Sequence, residues 1–360
     1  MTEDIYKKLA TVLDTLPNGF PATENGVEIK LLKMIFSPED AELFCDLRLK
    51  FETPEQIAER TGRPLEGLDD HLKSMWLKGQ LFGVDFGAVR VYKMMPWVFG
   101  IFEFQLKHMT KEFVLLCKEY EKTFGPQFFN SKVPLMNVVP VEQEIAGNEM
   151  ALPFEQVSSI IEKGVSFAVN ECICKKENEI LGEPCKKPLE VCLAIAPVPN
   201  IFDNHPMKAR PITKEEAYDI LRKSEEAGLV HLTSNIEKGH YYICNCCSCC
   251  CGVLRGVIEL GVSGGVNSNY YAEINQEECV GCGVCADERC QVNAISVSDD
   301  VYEVIPEKCI GCGLCISTCP SNAISLIRKN QEDIVMPPVD EDDWFRRRGQ
   351  MRGVDYSRYA

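Results

Sequence analysis

Two short runs of cysteine decide the C-terminal part of this chain: CVGCGVCADERC at residues 279–290 and CIGCGLCISTCP at residues 309–320. The first run has the spacing Cys-x2-Cys-x2-Cys-x4-Cys, and the second has Cys-x2-Cys-x2-Cys-x3-Cys followed by Pro320. The repeat extends beyond the cysteines, because Asn293-Ala294-Ile295 returns as Asn322-Ala323-Ile324. This part of the chain is therefore an internal duplication.

The second run matches the cysteine pattern of bacterial ferredoxins, so residues 272–328 resemble a two-cluster ferredoxin. Soft thiolates suit an iron–sulfur cubane, and loops with two residues between ligands direct three thiolates at one centre. The resemblance implies two 4Fe–4S clusters, each taking its fourth ligand from the other run. The implied ligands are Cys279, Cys282, Cys285 and Cys319 for cluster 1, and Cys309, Cys312, Cys315 and Cys290 for cluster 2.

The first run departs from the ferredoxin pattern in two ways. It has one extra residue before its last cysteine, and Gln291 replaces the usual proline. We expect the insertion Asp287-Glu288-Arg289 to bulge the loop without removing a ligand. A pair of zinc knuckles is the alternative, but eight cysteines in a duplicated frame with no nearby histidine disfavour it.

Composition bounds the remaining possibilities. The length of 360 residues predicts two or three domains. The composition, 45% hydrophobic and 26% charged residues, is ordinary for globular proteins. Its formal charge is −16, from 54 acidic and 38 basic side chains. This excess of acid repels phosphate backbones and argues against general nucleic-acid binding, whereas it suits a basic protein partner.

Cysteine usage indicates the cellular compartment. Of 20 cysteines, 18 lie between Cys172 and Cys319. The N-terminal residues MTEDIYKKLA lack the apolar region of a secretory signal, and the apolar stretch 94–104 is too short to span a bilayer. We therefore expect a cytoplasmic protein without a transmembrane segment, in which thiols bind metal rather than form disulfides.

The N-terminal residues 1–95 predict a winged-helix-like domain. Thr53-Pro54-Glu55-Gln56 has the pattern of a helix N-cap with Pro at its first position, and Gly62 ends that helix. A second helix is expected over residues 64–78, and a short hairpin over residues 81–92. Helix, turn, helix and hairpin is the order of a winged helix.

Winged helices often bind DNA, but the sequence favours protein docking. The second helix opens with Glu66-Gly67-Leu68-Asp69-Asp70, and the N-terminal residues of a recognition helix are those that meet bases and phosphates. Acidic side chains at that place oppose DNA binding.

A second cysteine-rich segment, residues 172–251, lies in the central part, residues 96–265. It holds ten thiols: Cys172, Cys174, Cys185, Cys192, Cys244, Cys246, Cys247, Cys249, Cys250 and Cys251. Neighbouring side chains seldom reach one iron together, so this density suggests two centres or one unusual centre. His231 and His240 lack metal-ligand spacing and are expected to be structural, although they could complete a mixed site.

Several ligand sets are open for these thiols. Cys172, Cys174, Cys185 and Cys192 could hold one further cubane. The run from Cys244 to Cys251 could ligate another cubane, share a cluster with the first four, or hold a noncubane cluster. Its Cys250-Cys251-Gly252 is similar to a motif of heterodisulfide-reductase-type subunits. The alternatives are a zinc or mixed-metal thiolate site, or thiols that bind no metal.

Residues 160–328 as a whole resemble multi-cluster 4Fe–4S ferredoxin-domain proteins of anaerobic bacteria. The predicted fold is α+β and multidomain: winged-helix-like, central cluster-binding and ferredoxin-like domains, followed by a tail at residues 329–360. The resemblance implies electron transfer, with a flavin- or metal-containing oxidoreductase subunit as partner. The alternatives are a catalytic reductase with substrate at the central cluster and a redox-sensing winged-helix regulator, so enzymatic activity stays open.

Overall fold

The computed structural model contains both helices and strands, which confirms the α+β class. The structure describes residues 4–129, 131–145, 151–203, 209–261, 265–299 and 301–360. The chain divides into two compact units. The first comprises Met1–Phe128, Ile201–Ala209 and Phe345–Ala360, and the second comprises Phe129–Asn200 and Arg210–Trp344.

These units do not coincide with the four predicted parts. The predicted boundary at residue 95 lies inside the first unit, and the one between residues 265 and 272 lies inside the second. The central cysteine-rich segment and the ferredoxin-like segment therefore share one compact unit. The division into separate domains stays a prediction.

The first unit is mainly helical. Its elements are helices α1 (Ile5–Thr15), α2 (Val27–Ile35), α3 (Pro38–Phe44), α4 (Pro54–Thr61), α5 (Leu68–Leu77), α6 (Phe102–Phe104) and α7 (Lys111–Phe129), and strands β1 (Phe82–Asp85) and β2 (Arg90–Lys93). Strands β1 and β2 form an antiparallel hairpin. The order helix, turn, helix and hairpin is thus present in α4, α5, β1 and β2, while the winged-helix assignment stays a prediction.

Local sequence explains where α4 begins and ends. The Gln56 amide N–H donates to the Thr53 hydroxyl, and the Thr53 N–H donates to the Gln56 side chain at 2.8 Å. Gly62 ends the helix with φ of 74°. The next helix begins at Leu68 instead of residue 64, because Gly67 before it adopts a left-handed φ of 75°.

The second unit is built on a central sheet. Its strands are β3 (Met136–Val139), β4 (Ser166–Glu171), β5 (Glu190–Ala196), β6 (Arg210–Ile212), β7 (Val230–Ser234), β8 (Tyr242–Cys246) and β9 (Val266–Asn267). The seven strands lie in the order β6-β4-β5-β8-β7-β3-β9. All neighbours are antiparallel except β3 and β9, which are parallel.

Helices and an aliphatic core complete this sheet. The helices are α8 (Val157–Ile161), α9 (Ile173–Leu181), α10 (Lys214–Glu226) and α11 (Gly252–Leu260). Side chains of α8 and α10, among them Ile160 and Leu221, pack with Val169, Leu193 and Ile243 of the strands. Each such buried side chain stabilises the fold by about 2 kcal/mol.

Two small sheets frame the ferredoxin-like segment. Strand β10 (Tyr270–Ile274) pairs with β13 (Ile324–Arg328), and β11 (Ile295–Ser298) pairs with β12 (Val301–Val304), both antiparallel. Because β10 precedes the first cysteine run and β13 follows the second, their pairing closes the duplicated segment on itself.

The tail contains a helix, α12 (Glu341–Arg352). Within the first unit, the buried Arg348 guanidinium lies 5.0 Å from the centre of the Phe128 ring, and Arg352 binds the Asp14 carboxylate at 2.9 Å. The C-terminal arginines are thus part of the fold. Across the described ranges, no helix combines the length and apolar character that crossing a bilayer requires.

One buried histidine of the second unit makes stability depend on pH. His240 Nδ1 lies 3.1 Å from the Thr233 hydroxyl. Burial, with the nearby charge of Lys163, lowers the pKa of His240 from 6.5 to about 4. In the unfolded chain this histidine binds a proton near pH 6.5, whereas in the folded chain it binds one only near pH 4. Stability therefore falls as the pH is lowered between those values.

We expect this side chain to reduce the free energy of unfolding by about 1 kcal/mol between about pH 7.5 and pH 5.5. Urea unfolding at both pH values should show the loss in the wild type, and a smaller loss in His240→Gln. His108→Gln, at an exposed histidine of the first unit, is the matched control and should keep the wild-type pH dependence. Equal pH dependence in all three proteins would contradict the expectation.

Candidate metal centres

Strand register brings three central thiols to one place. Strands β5 and β8 pair Leu193 with Ile243, which sets Cys192 level with Cys244 on the neighbouring strand. Side chains alternate along a strand, and Leu193 and Ile243 belong to the aliphatic core. Cys192, Cys244 and Cys246 therefore lie on the opposite face of the sheet from that core.

Two helix N-termini bring further thiols to this face. Cys172 is the N-cap of α9 and Cys251 is the N-cap of α11, both with φ of −70° and ψ of 120°. The N-terminus of a helix favours a thiolate, because its free N–H groups carry partial positive charge. Side-chain contacts link six thiols, which we call the six-thiol group, in the order Cys172, Cys174, Cys251, Cys246, Cys244 and Cys192.

Protonation within the six-thiol group is uneven. Hydrogen bonds from the Cys192 and Cys246 thiols lower the pKa of Cys244 well below its ordinary value. The same interaction, with that of Cys251, raises the pKa of Cys246. The arrangement therefore favours thiolate at Cys244, the form that binds metal.

The remaining four central thiols form a second set, the four-thiol group: Cys185, Cys247, Cys249 and Cys250. Their sulfur atoms all lie within 4.8 Å of one another. The sulfur of Cys185 is 3.8 Å from that of Cys247 and 3.7 Å from that of Cys249. The sulfur of Cys249 is 3.2 Å from that of Cys247 and 3.6 Å from that of Cys250.

This division differs from the ligand set suggested by sequence order. The sequence groups Cys185 with Cys172, Cys174 and Cys192. In the structure Cys185 lies instead against three thiols of the run 244–251, while the other three belong to the six-thiol group.

Two of the three pairs of adjacent thiols in the run separate between the two groups, whereas Cys249 and Cys250 both belong to the four-thiol group. Cys246 and Cys251 join the six-thiol group, whereas Cys247 and Cys250 join the four-thiol group. The Cys247 carbonyl accepts hydrogen bonds from the N–H groups of Cys250 at 3.3 Å and Cys251 at 3.0 Å. This tight turn fixes the direction of each thiol.

The central histidines make structural contacts. His231 Nδ1 lies 2.5 Å from the Asn245 side-chain oxygen, and the Asn245 amide donates to the Val191 carbonyl at 2.6 Å. His240 contacts Thr233, as described above. Asn245 lies between two thiols of β8, so the buried pair His231–Asn245 holds that strand in place.

In the ferredoxin-like segment, one cavity is lined by all four thiols proposed for cluster 2: Cys290, Cys309, Cys312 and Cys315. Cys290 of the first run thus lies with three thiols of the second run, as the implied crossing requires. Cys279, Cys285 and Cys319 pack around Ile274 and Ile324 in an apolar cluster that also contains Cys309 and Cys315. Both implied ligand sets are compatible with the fold, while the assignment of each ligand stays a prediction.

The cavity fits a 4Fe–4S cluster in its chemistry. Amide N–H groups donate to ligand sulfurs, from Ala294 to Cys290 at 3.1 Å and from Ala272 to Cys309 at 3.4 Å. Such hydrogen bonds stabilise thiolate ligands and tune the cluster potential. Gly311 has φ of 60°, and a Cβ there would lie 2.3 Å from the Tyr270 carbonyl oxygen, so only glycine permits this loop beside the strand.

The two ligand sets differ in exposure. Burial raises the pKa of the Cys312 thiol to about 12. Cys282 of the other set is exposed, and its neighbour Val280 is 66% exposed. Cys285 of the same set is buried, so cluster 1 would approach the protein surface on the side of Cys282.

The insertion in the first run has a role that the sequence alone did not show. The buried Arg289 guanidinium donates to the carbonyls of Leu314 at 2.9 Å, Glu225 at 2.9 Å and Glu226 at 3.0 Å. The last two carbonyls belong to the C-terminal end of α10, where a cation is favoured. The inserted arginine thus attaches the ferredoxin-like segment to the central segment.

Gln291, which stands where ferredoxins have proline, makes a second attachment. Its side-chain oxygen accepts hydrogen bonds from the Ser248 N–H at 3.1 Å and the Ser248 hydroxyl at 3.2 Å. Ser248 lies between Cys247 and Cys249 of the four-thiol group. The residue after Cys290 is therefore in direct contact with the loop that carries central thiols.

Substitution of single thiols should reveal the crossing of ligands between the two runs. We expect Cys290→Ser and Cys309→Ser to alter the same cluster signal in the EPR spectrum of the reduced protein. Cys319→Ser and Cys279→Ser should alter the other signal. Cys45→Ser, at a buried thiol of the first unit, should leave both unchanged. A common effect of Cys290→Ser and Cys279→Ser on one signal would contradict the crossing.

Comparison with known proteins agrees with this geometry in the C-terminal region. Residues 272–326 match a family model described as a 4Fe-4S dicluster domain, and the match includes both cysteine runs. No curated protein and no solved structure matches the chain. In its C-terminal region, therefore, the chain carries a 4Fe-4S dicluster domain, and it is a 4Fe–4S ferredoxin-domain protein.

Proposed function

We propose that this chain is an iron–sulfur electron-transfer protein, or the electron-transfer subunit of a cytoplasmic oxidoreductase complex of an anaerobic organism. The match to a dicluster domain carries the proposal, and the central thiol groups support it. When bound, 4Fe–4S clusters supply one-electron carriers.

Contacts inside the second unit support electron exchange between the central and ferredoxin-like segments. Arg289 and Gln291 attach the first run to α10 and to the loop at Ser248. These contacts hold the cavity lined by Cys290 against the region of the central thiols. A fixed, short separation between centres is what intramolecular electron transfer requires.

The surface of the ferredoxin-like segment supports a basic protein partner. Its exposed acidic side chains are Glu273, Glu277, Glu278, Asp287, Glu288, Asp299, Glu303 and Glu307. Of its three basic residues, Arg289 is buried against backbone carbonyls, Arg328 pairs with Glu155, and Lys308 is exposed. Exposed Cys282 and Val280 lie in the same segment. We propose that a flavin- or metal-containing oxidoreductase subunit docks here through a basic surface.

The first unit supports protein docking better than DNA recognition. At the N-terminus of α5, Asp69 pairs with Arg90 of the hairpin and accepts a hydrogen bond from the Tyr92 hydroxyl at 2.8 Å. Glu66 and Asp70 beside it are exposed. The helix end that would approach DNA therefore presents acid, and we expect the protein to retain no DNA duplex at low salt.

Electron transfer to a basic acceptor should depend strongly on salt. We expect the reduced protein to reduce a basic c-type cytochrome at a rate constant that falls about tenfold as ionic strength rises from low to physiological values, because opposite charges steer the encounter. Stopped-flow absorbance under anaerobic conditions measures this rate.

Two charge-reversal variants locate the docking surface. Glu277→Lys with Glu278→Lys should slow the reaction at low salt and weaken its salt dependence. Glu55→Lys with Glu59→Lys changes the net charge equally on the first unit and should have little effect. A rate that ignores salt, or equal slowing by both variants, would count against docking at the ferredoxin-like segment.

A further inference from the structure

We propose that Cys185, Cys247, Cys249 and Cys250 bind a single thiophilic metal ion, zinc or iron, and not a 4Fe–4S cubane. The proposal rests on the spacing and surroundings of these four sulfur atoms. It does not depend on the electron-transfer function proposed above.

Sulfur spacing matches one tetrahedral ion. A zinc–thiolate bond of about 2.3 Å in tetrahedral geometry places neighbouring sulfurs about 3.8 Å apart. In the four-thiol group the contacting sulfur pairs are 3.8, 3.7, 3.6 and 3.2 Å apart. All are far longer than a disulfide bond of about 2.05 Å. An iron ion held by four thiolates has the same tetrahedral geometry.

A cubane would need wider spacing. Each of its thiolates binds a different iron at a corner of the cube, so the terminal sulfurs diverge from the centre. The ferredoxin-like segment gives an internal comparison. Among the described residues, the four-thiol group is the one set of ligand atoms that all lie within 4.8 Å of one another and could hold one ion. The four-thiol group is thus tighter than the thiols of the dicluster domain.

Burial favours a bound cation in the four-thiol group. Cys247 and Cys250 are 0% and 3% exposed, and they pack against Val191 and Leu229. Thiolates in such apolar surroundings repel one another unless positive charge is present. A divalent ion would offset half of the charge of four thiolates. The Lys187 ammonium interacts with the charges of Cys247 and Cys249 and offsets more.

Polar groups around the sulfurs orient them as outer-shell donors orient metal ligands. The Lys187 backbone N–H lies 3.5 Å from the Cys185 sulfur, and the Asn178 side-chain amide lies 3.2 Å from the Cys250 sulfur. Asn178 belongs to α9, and Cys185 lies in the loop that follows this helix. The helix thus positions one ligand and donates to another.

The position of the group suggests what the ion would do. Cys247 and Cys249 lie on either side of Ser248, whose N–H and hydroxyl donate to Gln291. An ion bound by both thiols would fix the conformation of this loop. It would also join the loop to Cys185, 62 residues away in the sequence. The ion would therefore stabilise the contact between the central and ferredoxin-like segments.

Metal analysis of the full-length protein, purified without oxygen from medium containing both metals, tests the proposal. We expect one zinc per chain, or one iron with the Mössbauer signature of a mononuclear tetrahedral sulfur site. If the ion is zinc, X-ray absorption at the zinc edge should show four sulfurs at about 2.3 Å and no neighbouring metal. Because this measurement uses the wild type, it does not depend on the folding of any variant. Wild-type protein with no metal beyond its clusters would overturn the proposal.

Variants identify the ligands. Cys185→Ser and Cys249→Ser should each lose this one ion and keep the EPR signals of the dicluster domain. Cys45→Ser, at a buried thiol of the first unit, is the matched control and should retain the ion. Loss of about four irons together with labile sulfide from Cys185→Ser would show a cubane and overturn the proposal.

Discussion

The tight turn between β8 and α11 is the feature on which the metal chemistry of this chain depends. Hydrogen bonds from the N–H groups of Cys250 and Cys251 to the Cys247 carbonyl hold the turn closed. Six of the ten central thiols lie on this turn or on the strand before it. At this turn Cys246 and Cys247 belong to different groups, as do Cys250 and Cys251, whereas Cys249 and Cys250 share one group. The division of the run between the two thiol groups therefore depends on this turn.

The central sheet separates two kinds of stabilisation. On one face, Leu193 and Ile243 pack with side chains of α8 and α10 in an ordinary aliphatic core. On the other face, Cys192, Cys244 and Cys246 meet the N-termini of two helices. Because successive side chains along β5 and β8 point to opposite faces, each strand contributes to both. The hydrophobic face can form from the chain alone, whereas the thiol face needs positive charge from helix ends, nearby cations or metal.

The two departures from the ferredoxin pattern attach the ferredoxin-like segment to the central segment. The insertion that brings Arg289 into the first run and the replacement of proline by Gln291 look like defects when compared with a free-standing ferredoxin. In the structure both side chains bind the central segment, one at the end of α10 and the other at Ser248. A proline at position 291 would have no side-chain oxygen to accept these hydrogen bonds. The ferredoxin-like segment is thus adapted to remain attached.

Features that depend on short-range geometry could be predicted from the sequence. The capping box at Thr53 and Gln56 predicted where α4 begins, and the duplicated spacing of the two cysteine runs predicted the dicluster domain. The sequence pattern places the start of α5 four residues too early, because it does not show that Gly67 adopts a left-handed conformation. The tertiary structure decided which central thiols meet. Cys185 joins Cys247, Cys249 and Cys250 because the fold brings a distant loop to the β8–α11 turn, and Cys192 meets Cys244 because of the register between two strands. Spacing along the chain fixes the direction of ligands within one turn, but proximity between distant segments depends on the packing of the whole unit.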